Sequence, residues 1–121
     1  MNHIYQKNKI LCVLQVRGGS KGVPKKNIRE VNGKPLMTWT IESAKKSGVF
    51  DGIWVSSDSD EILEVGIKEK VDTIKRPEEL SGDEVLSVDS LHWAVDNIEK
   101  QTEATYDYVV ELPVVCPLRN E

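Results

Sequence analysis

The segment Arg17-Gly18-Gly19-Ser20-Lys21-Gly22-Val23-Pro24-Lys25-Lys26-Asn27 has the residue types and spacing to handle phosphate. Its glycines let backbone N–H groups approach an anion and permit positive φ where a loop folds back. Arg17 and Lys21 can neutralise phosphate charge, and Lys26 can stabilise charge that develops during phosphoryl transfer. Common phosphate loops fit poorly. A Walker loop requires G-x-x-x-x-G-K-[ST], whereas the Gly33-Lys34 pair here runs into Pro35. A dinucleotide fingerprint requires G-x-G-x-x-G, and this loop reads G-G-S-K-G. The residues alone therefore favour phosphate or nucleotide binding, with a structural Gly/Lys turn as the alternative.

Other chemistry-bearing residues have simpler explanations. Asp58 and Asp60 fail as a calcium loop, because Ile62 and Leu63 fall where an oxygen ligand and Gly are needed, and Asp58 is expected to cap a helix. Glu111 ends a strand, where it could reach a metal or simply be a solvated carboxylate. His92 lies four residues after Val88 and is expected on the flank of a helix, with no acid placed to make it catalytic. Trp39, Trp54 and Trp93 are expected to pack, and Cys12 to be a small core residue.

These residues need a scaffold, and the apolar pattern supplies one. Ile10–Val16 is a short apolar run with a Gly-rich stop, which reads as a buried parallel strand. Residues 17–34 form a loop, Pro35 suits the first turn of a helix, Met37, Ile41 and Ala44 recur at helical spacing, and Gly48 stops it. Gly52–Ser57 is a second strand. Asp58 and Glu61 then mark a helix start, with Ile62, Leu63, Gly66 and Ile67 as its buried stripe. Val71–Lys75 is a third strand, cut off by Pro77. A helix over Val85–Lys100 places Val88, Leu91, Val95 and Ile98 on one face, and Tyr106–Leu112 is a fourth strand. This alternation predicts an α/β domain with a parallel, Rossmann-like sheet. In such sheets ligands bind beyond the carboxyl ends of the strands, where the basic loop leaves the first one.

Composition bounds the rest. The 121 residues allow one domain, 39% apolar and 30% charged, with a net charge of −4. That charge excludes bulk electrostatic binding of nucleic acid. The local excess of Arg17, Lys21, Lys25, Lys26, Arg29 and Lys34 instead suits a small anionic ligand. Two distant cysteines, Cys12 and Cys116, argue against a disulfide or zinc framework, and no signal-peptide pattern or membrane-length run occurs. The expectation is a cytoplasmic protein with no membrane partner.

The string R-G-G-S-K-G-V-P-K-K-N-I, followed by N-G-K-P-L, resembles the opening motif of the acylneuraminate cytidylyltransferases, the CMP-sialic acid synthetases and their legionaminic and pseudaminic relatives. Val55-Ser56-Ser57-Asp58 resembles that family's V-S-T-D strand end. Arg76-Pro77-Glu78-Glu79-Leu80 resembles its R-P-x-E-L, with Asp83 and Ser87 in the places of the following S-D-T-A-S-S. Pro117-Leu118-Arg119 resembles the end of Q-P-T-S-P-L-R. The likeness runs from about Ile10 to Arg119.

The resemblance implies a fold of the nucleotide-diphospho-sugar transferase type. It implies a reaction in which a sialic-acid-type sugar acid attacks the α-phosphorus of CTP, giving a CMP-sugar and pyrophosphate with Mg²⁺, in the service of polysaccharide biosynthesis. Arg17 would contact the triphosphate, with Gly18, Gly19, Ser20, Lys21 and Gly22 cradling it. Lys26 would assist transfer, Asn27 would help hold the nucleotide, Arg76 would lie near the cytosine and Ser87 near the nucleotide pocket. Two positions depart from the pattern: Val16 stands where the family has a small Ala, and Pro113-Val114-Val115-Cys116 replaces Q-P-T-S. Relatives also continue past the last matched motif with a segment carrying paired metal-binding aspartates, much of the sugar pocket and the dimer interface. Residues 1–121 are therefore expected to be a truncated, nucleotide-binding part of the domain whose metal ligands are not identifiable, with homo-oligomerisation as a further expectation. The alternative is a catalytically inactive nucleotide-binding or interaction fragment. A sugar-phosphate nucleotidylyltransferase with another base is disfavoured, because those open with a G-G-x-G-T-R-type loop.

Overall fold

The structure, a computed structural model, describes residues 9–16, 30–31, 33–80 and 87–113. In chain order its elements are β1 (Ile10–Val16), β2 (Glu30–Val31), β3 (Lys34–Pro35), α1 (Leu36–Ser47), β4 (Gly52–Ser57), α2 (Asp60–Lys68), β5 (Asp72–Lys75), a 3₁₀ turn (Glu78–Leu80), α3 (Ser87–Thr102) and β6 (Tyr108–Glu111). Four of the strands form one sheet in the order β5-β4-β1-β6. Every neighbouring pair is parallel, with Val16 opposite Ser57, Ser57 opposite Lys75 and Val13 opposite Glu111. The predicted α/β architecture is borne out. The short antiparallel pair β2–β3, turning at Gly33 with φ +87°, falls where the sequence reads as loop.

Parallel strands need crossover connections, and the strand order decides which face each helix covers. The chain steps from β1 to β4 to β5 in one direction, then returns past β1 to β6. Connections of one hand put the first two helices on one face and the third on the other. Accordingly Cys12, Leu14, Val16 and Val55 pack with Met37, Ile41 and Ala44 of α1 and Ile62 of α2. Leu11, Val13, Trp54 and Ile74 pack with Ala94 and Ile98 of α3. β1 is thus covered on both sides, which is why its sequence is almost continuously apolar. Leu11, Leu14, Ile41 and Ile98 are fully buried, each contributing about 1.5–3 kcal/mol by removal from water.

Local signals set the helix boundaries. Pro35 (φ −56°, ψ 145°) immediately precedes the first helical residue of α1, and Gly48 closes it in the left-handed region (φ 69°), donating its N–H to the Lys45 carbonyl. Ser59, not Asp58, caps α2: its Oγ accepts from the Ile62 N–H at 3.4 Å, while its own N–H donates to Ser57 Oγ at 3.0 Å. Asp60 and Glu61 then fall in the first turn, where negative charge complements the helix dipole. On α2, Ile62 and Gly66 are buried, but Ile67 is 61% exposed. The buried stripe of α3 is Ser90, Ala94 and Ile98, whereas Val88 is 52% exposed. The helix is rotated from its apolar maximum because small side chains at 90 and 94 allow close approach to the sheet, and the Ser90 hydroxyl donates to the Leu80 carbonyl at 3.0 Å.

Candidate functional site

The carboxyl ends of the four parallel strands share one edge. Strand order reverses there between β1 and β6, which opens the crevice that binds ligands in open α/β sheets. Gln15 from β1 and Glu111 from β6 face each other across it: Gln15 Nε2 donates to Glu111 Oε2 at 2.9 Å. Arg76, just past β5, donates from Nη1 to Gln15 Oε1 at 3.3 Å. Its backbone N–H is held by the Ser57 carbonyl at 2.8 Å, so the end of β4 fixes where the side chain starts.

Register explains why these side chains meet. Gln15 is paired with Ser56, and Ser56 with Ile74, so all three point to the face covered by α3. Two residues beyond Ile74, Arg76 points the same way. Arg76 is 3% exposed and Ser56 fully buried, with the Ser56 hydroxyl making no hydrogen bond among the described residues. A guanidinium this buried is costly unless well partnered. The result is a polar floor of Gln15, Ser56 and Arg76 within an apolar sheet face, with Glu111 at its open end. The 3₁₀ turn after Pro77 is tied to the first turns of α3 by the Ser90–Leu80 hydrogen bond, so α3 begins alongside this floor.

Of the site residues expected from sequence, Arg76 lies in this cluster and Ser87 is the first residue of α3. Arg17, Gly18, Gly19, Ser20, Lys21, Gly22, Lys26 and Asn27 lie outside the described residues, although Arg17 directly follows the last residue of β1. Lys34, counted with the basic cluster, belongs elsewhere. Its Nζ donates to both Glu42 carboxylate oxygens at 2.8 and 3.0 Å and lies 4.5 Å from the centre of the Trp39 ring. Sequence reading did not assign Gln15 to the site. The available signal was a single amide within the apolar run Ile10–Val16.

Among the described residues no three His, Cys, Asp or Glu side chains converge to hold a metal ion. The Glu111 carboxylate at the crevice is engaged with Gln15. Cys12 is buried in the middle of β1, and burial pushes its thiol up to about 11, which makes it unreactive rather than nucleophilic. His92 is exposed on α3 beside a shallow groove shared with Leu91, Val95, Asp96 and Val109. No helix among the described residues is long and apolar enough to cross a membrane.

Comparison with known proteins decides the family. A family model described as Cytidylyltransferase matches residues 11–112, from the second residue of β1 to the residue after β6. The chain belongs to the cytidylyltransferase family. It is 40% identical over 114 residues to the pseudaminic acid cytidylyltransferase of Campylobacter jejuni, covering 93% of this chain and 49% of that protein. It is 37% identical over 114 residues to the N-acylneuraminate cytidylyltransferase of Streptococcus agalactiae, covering 93% of this chain and 26% of the relative. The resemblance drawn from the sequence motifs is borne out. A solved structure of CMP:2-keto-3-deoxy-manno-octonic acid synthetase complexed with CTP shares the fold, with a TM-score of 0.68 at 21% identity over 87% of this cytidylyltransferase chain and 39% of that one. The chain spans about half the length of the pseudaminic acid relative, and less of the others.

Proposed function

We propose that this chain binds CTP at the carboxyl edge of its sheet and is the nucleotide-binding part of a cytidylyltransferase acting on a sialic-acid-type 2-keto-3-deoxy sugar acid. The observation that carries this reading is the family match across residues 11–112, joined to a polar floor built around Arg76 where an open sheet binds its ligand. The relatives named for sialic-type sugars support the substrate class. In the proposed reaction the anomeric hydroxyl oxygen of the sugar acid forms a bond to the α-phosphorus. The bond from that phosphorus to the bridging oxygen breaks, pyrophosphate leaves with its electron pair, and the hydroxyl proton is released to solvent or a base.

Each residue has a stated part. Arg17 and the Gly18–Gly22 backbone neutralise and cradle the triphosphate, Lys26 stabilises charge on the departing pyrophosphate, and Asn27 holds the nucleotide. Arg76 and Ser87 line the nucleoside side of the pocket. Positioning and charge neutralisation supply most of the catalysis in such transfers. Mg²⁺, which the family resemblance implies, would supply charge neutralisation of the triphosphate, with Arg17 and Lys21 sharing that role.

Calorimetric titration with CTP, ATP, GTP and UTP in the presence of Mg²⁺ tests the binding. CTP-selective heat that disappears in Arg17→Ala is the expected result. A folded chain that binds none of the four overturns the proposal. Pyrophosphate release on adding N-acetylneuraminic or pseudaminic acid separates transfer from binding alone.

A further inference from the structure

The amide in β1 is bonded on both sides by groups that leave it no choice of orientation. Arg76 Nη1 donates to Gln15 Oε1 at 3.3 Å, and Gln15 Nε2 donates to Glu111 Oε2 at 2.9 Å. A guanidinium only donates and an ionised carboxylate only accepts, so only a side chain with an acceptor on one arm and a donor on the other satisfies both. Leucine offers neither. Glutamate would set two acceptors against each other across 2.9 Å, and lysine would set a cation against Arg76. Asparagine has the right chemistry but is one methylene short.

The three residues come from β1, the end of β5 and β6, and they meet at the crevice where strand order reverses. Arg76 is 3% exposed, so its guanidinium must be aimed before a ligand arrives. We propose that Gln15 is a positioning residue that holds the Arg76 guanidinium in place for the nucleotide, and that Glu111 acts through it by fixing the direction of the Gln15 amide. The inference rests on the CTP-binding reading above.

The test is calorimetric titration of the full chain with CTP and Mg²⁺ for the wild type, Gln15→Leu, Gln15→Glu and the double variant Gln15→Glu with Glu111→Gln. Thermal unfolding is recorded for each. The two single variants are expected to bind CTP on the order of tenfold more weakly, the loss of one hydrogen bond to a charged group. The double variant is expected to recover most of that loss, because a carboxylate at position 15 accepts both from Arg76 and from an amide at position 111. A purely structural role would make affinity follow thermal stability across all the variants, so the loss and recovery of affinity at unchanged melting temperature mark positioning. Wild-type affinity in a folded Gln15→Leu overturns the inference, as does a double variant that binds as weakly as Gln15→Glu. If Gln15→Leu does not fold, the comparison of Gln15→Glu with the double variant still decides. A wild-type chain that binds no nucleotide overturns the CTP reading and this inference with it. Normal wild-type binding with indifferent variants overturns this inference alone.

Discussion

Replacing Gly66 by Ala sets two effects of known sign against each other. In an exposed helix interior, Ala is favoured over Gly by about 1 kcal/mol. Gly66 is buried in α2, however, and a Cβ there would lie 2.9 Å from Thr73 Cγ2, 3.3 Å from Val55 Cγ2 and 3.5 Å from Val55 Cβ. Both neighbours are β-branched and stiff, and Val55 is fully buried at the centre of the sheet. Overpacking of this kind costs about 1–3 kcal/mol, so the net effect is a destabilisation of about 1 kcal/mol. Urea unfolding followed by fluorescence of the buried Trp54 measures it as a lower midpoint at unchanged slope. Adding Thr73→Ser removes the Cγ2 methyl group, and the double variant should be less destabilised than the sum of the two singles by about 0.5 kcal/mol or more. The consequence reaches the candidate site, because Val55 and Thr73 lie on the strands that end at Ser57 and at Lys75, the residue before Arg76. A Gly66→Ala chain stabilised by the full helix-propensity difference would refute the close α2–sheet packing.

The remaining predictions concern groups whose titration the fold alters. Cys12, with its thiol raised to about 11 by burial, should resist alkylation at pH 8 until the chain unfolds. Peptide mapping by mass spectrometry distinguishes it from Cys116, and rapid native-state labelling of Cys12 would contradict the packing of β1. Burial first, and then the negative charges of Asp51, Asp72 and Glu99, hold the Tyr106 phenol above its ordinary pKa of 10.0. The unfolded chain therefore loses this proton before the folded one, so stability should fall as pH rises from about 10. Tyr106→Phe should flatten that alkaline decline in melting scans, and an unchanged decline would assign it to other groups.

How much of this was legible in the sequence follows from which signals are local. Ile10–Val16 and Gly52–Ser57 were read at their observed bounds because each is an apolar run closed by Gly or polar residues, a pattern carried entirely by near neighbours. The β2–β3 pair was missed because two-residue strands carry no period. Ser59 displaces Asp58 as the cap because its hydroxyl accepts from the Ile62 N–H while its own backbone N–H donates to Ser57 Oγ. On α3, Ile98 is buried and Leu91 and Val95 pack against the core as periodicity predicts, whereas Val88 is exposed and Ser90 and Ala94, buried by being small, carry no apolar signal. Arg76 entered the site through its resemblance to a motif, and the fold independently buries it at the sheet edge. The roles of Gln15 and Glu111 could not be read in advance, since the pairings span 61 and 96 residues and depend on β6 returning beside β1. The basic segment from Arg17 to Asn27, the strongest signal in the sequence, lies outside the described residues.

The carboxyl edge on the α3 side of the sheet as the CTP site is tested most directly by titrating ¹⁵N-labelled chain with CTP and Mg²⁺ and following the backbone amides. The shifts are predicted to centre on Gln15 and Val16, Ser57–Ser59, Arg76, the first turn of α3 and Glu111, with residues 17–27. Shifts centred instead on the outer face of α2, or on the groove beside His92, would contradict that placement.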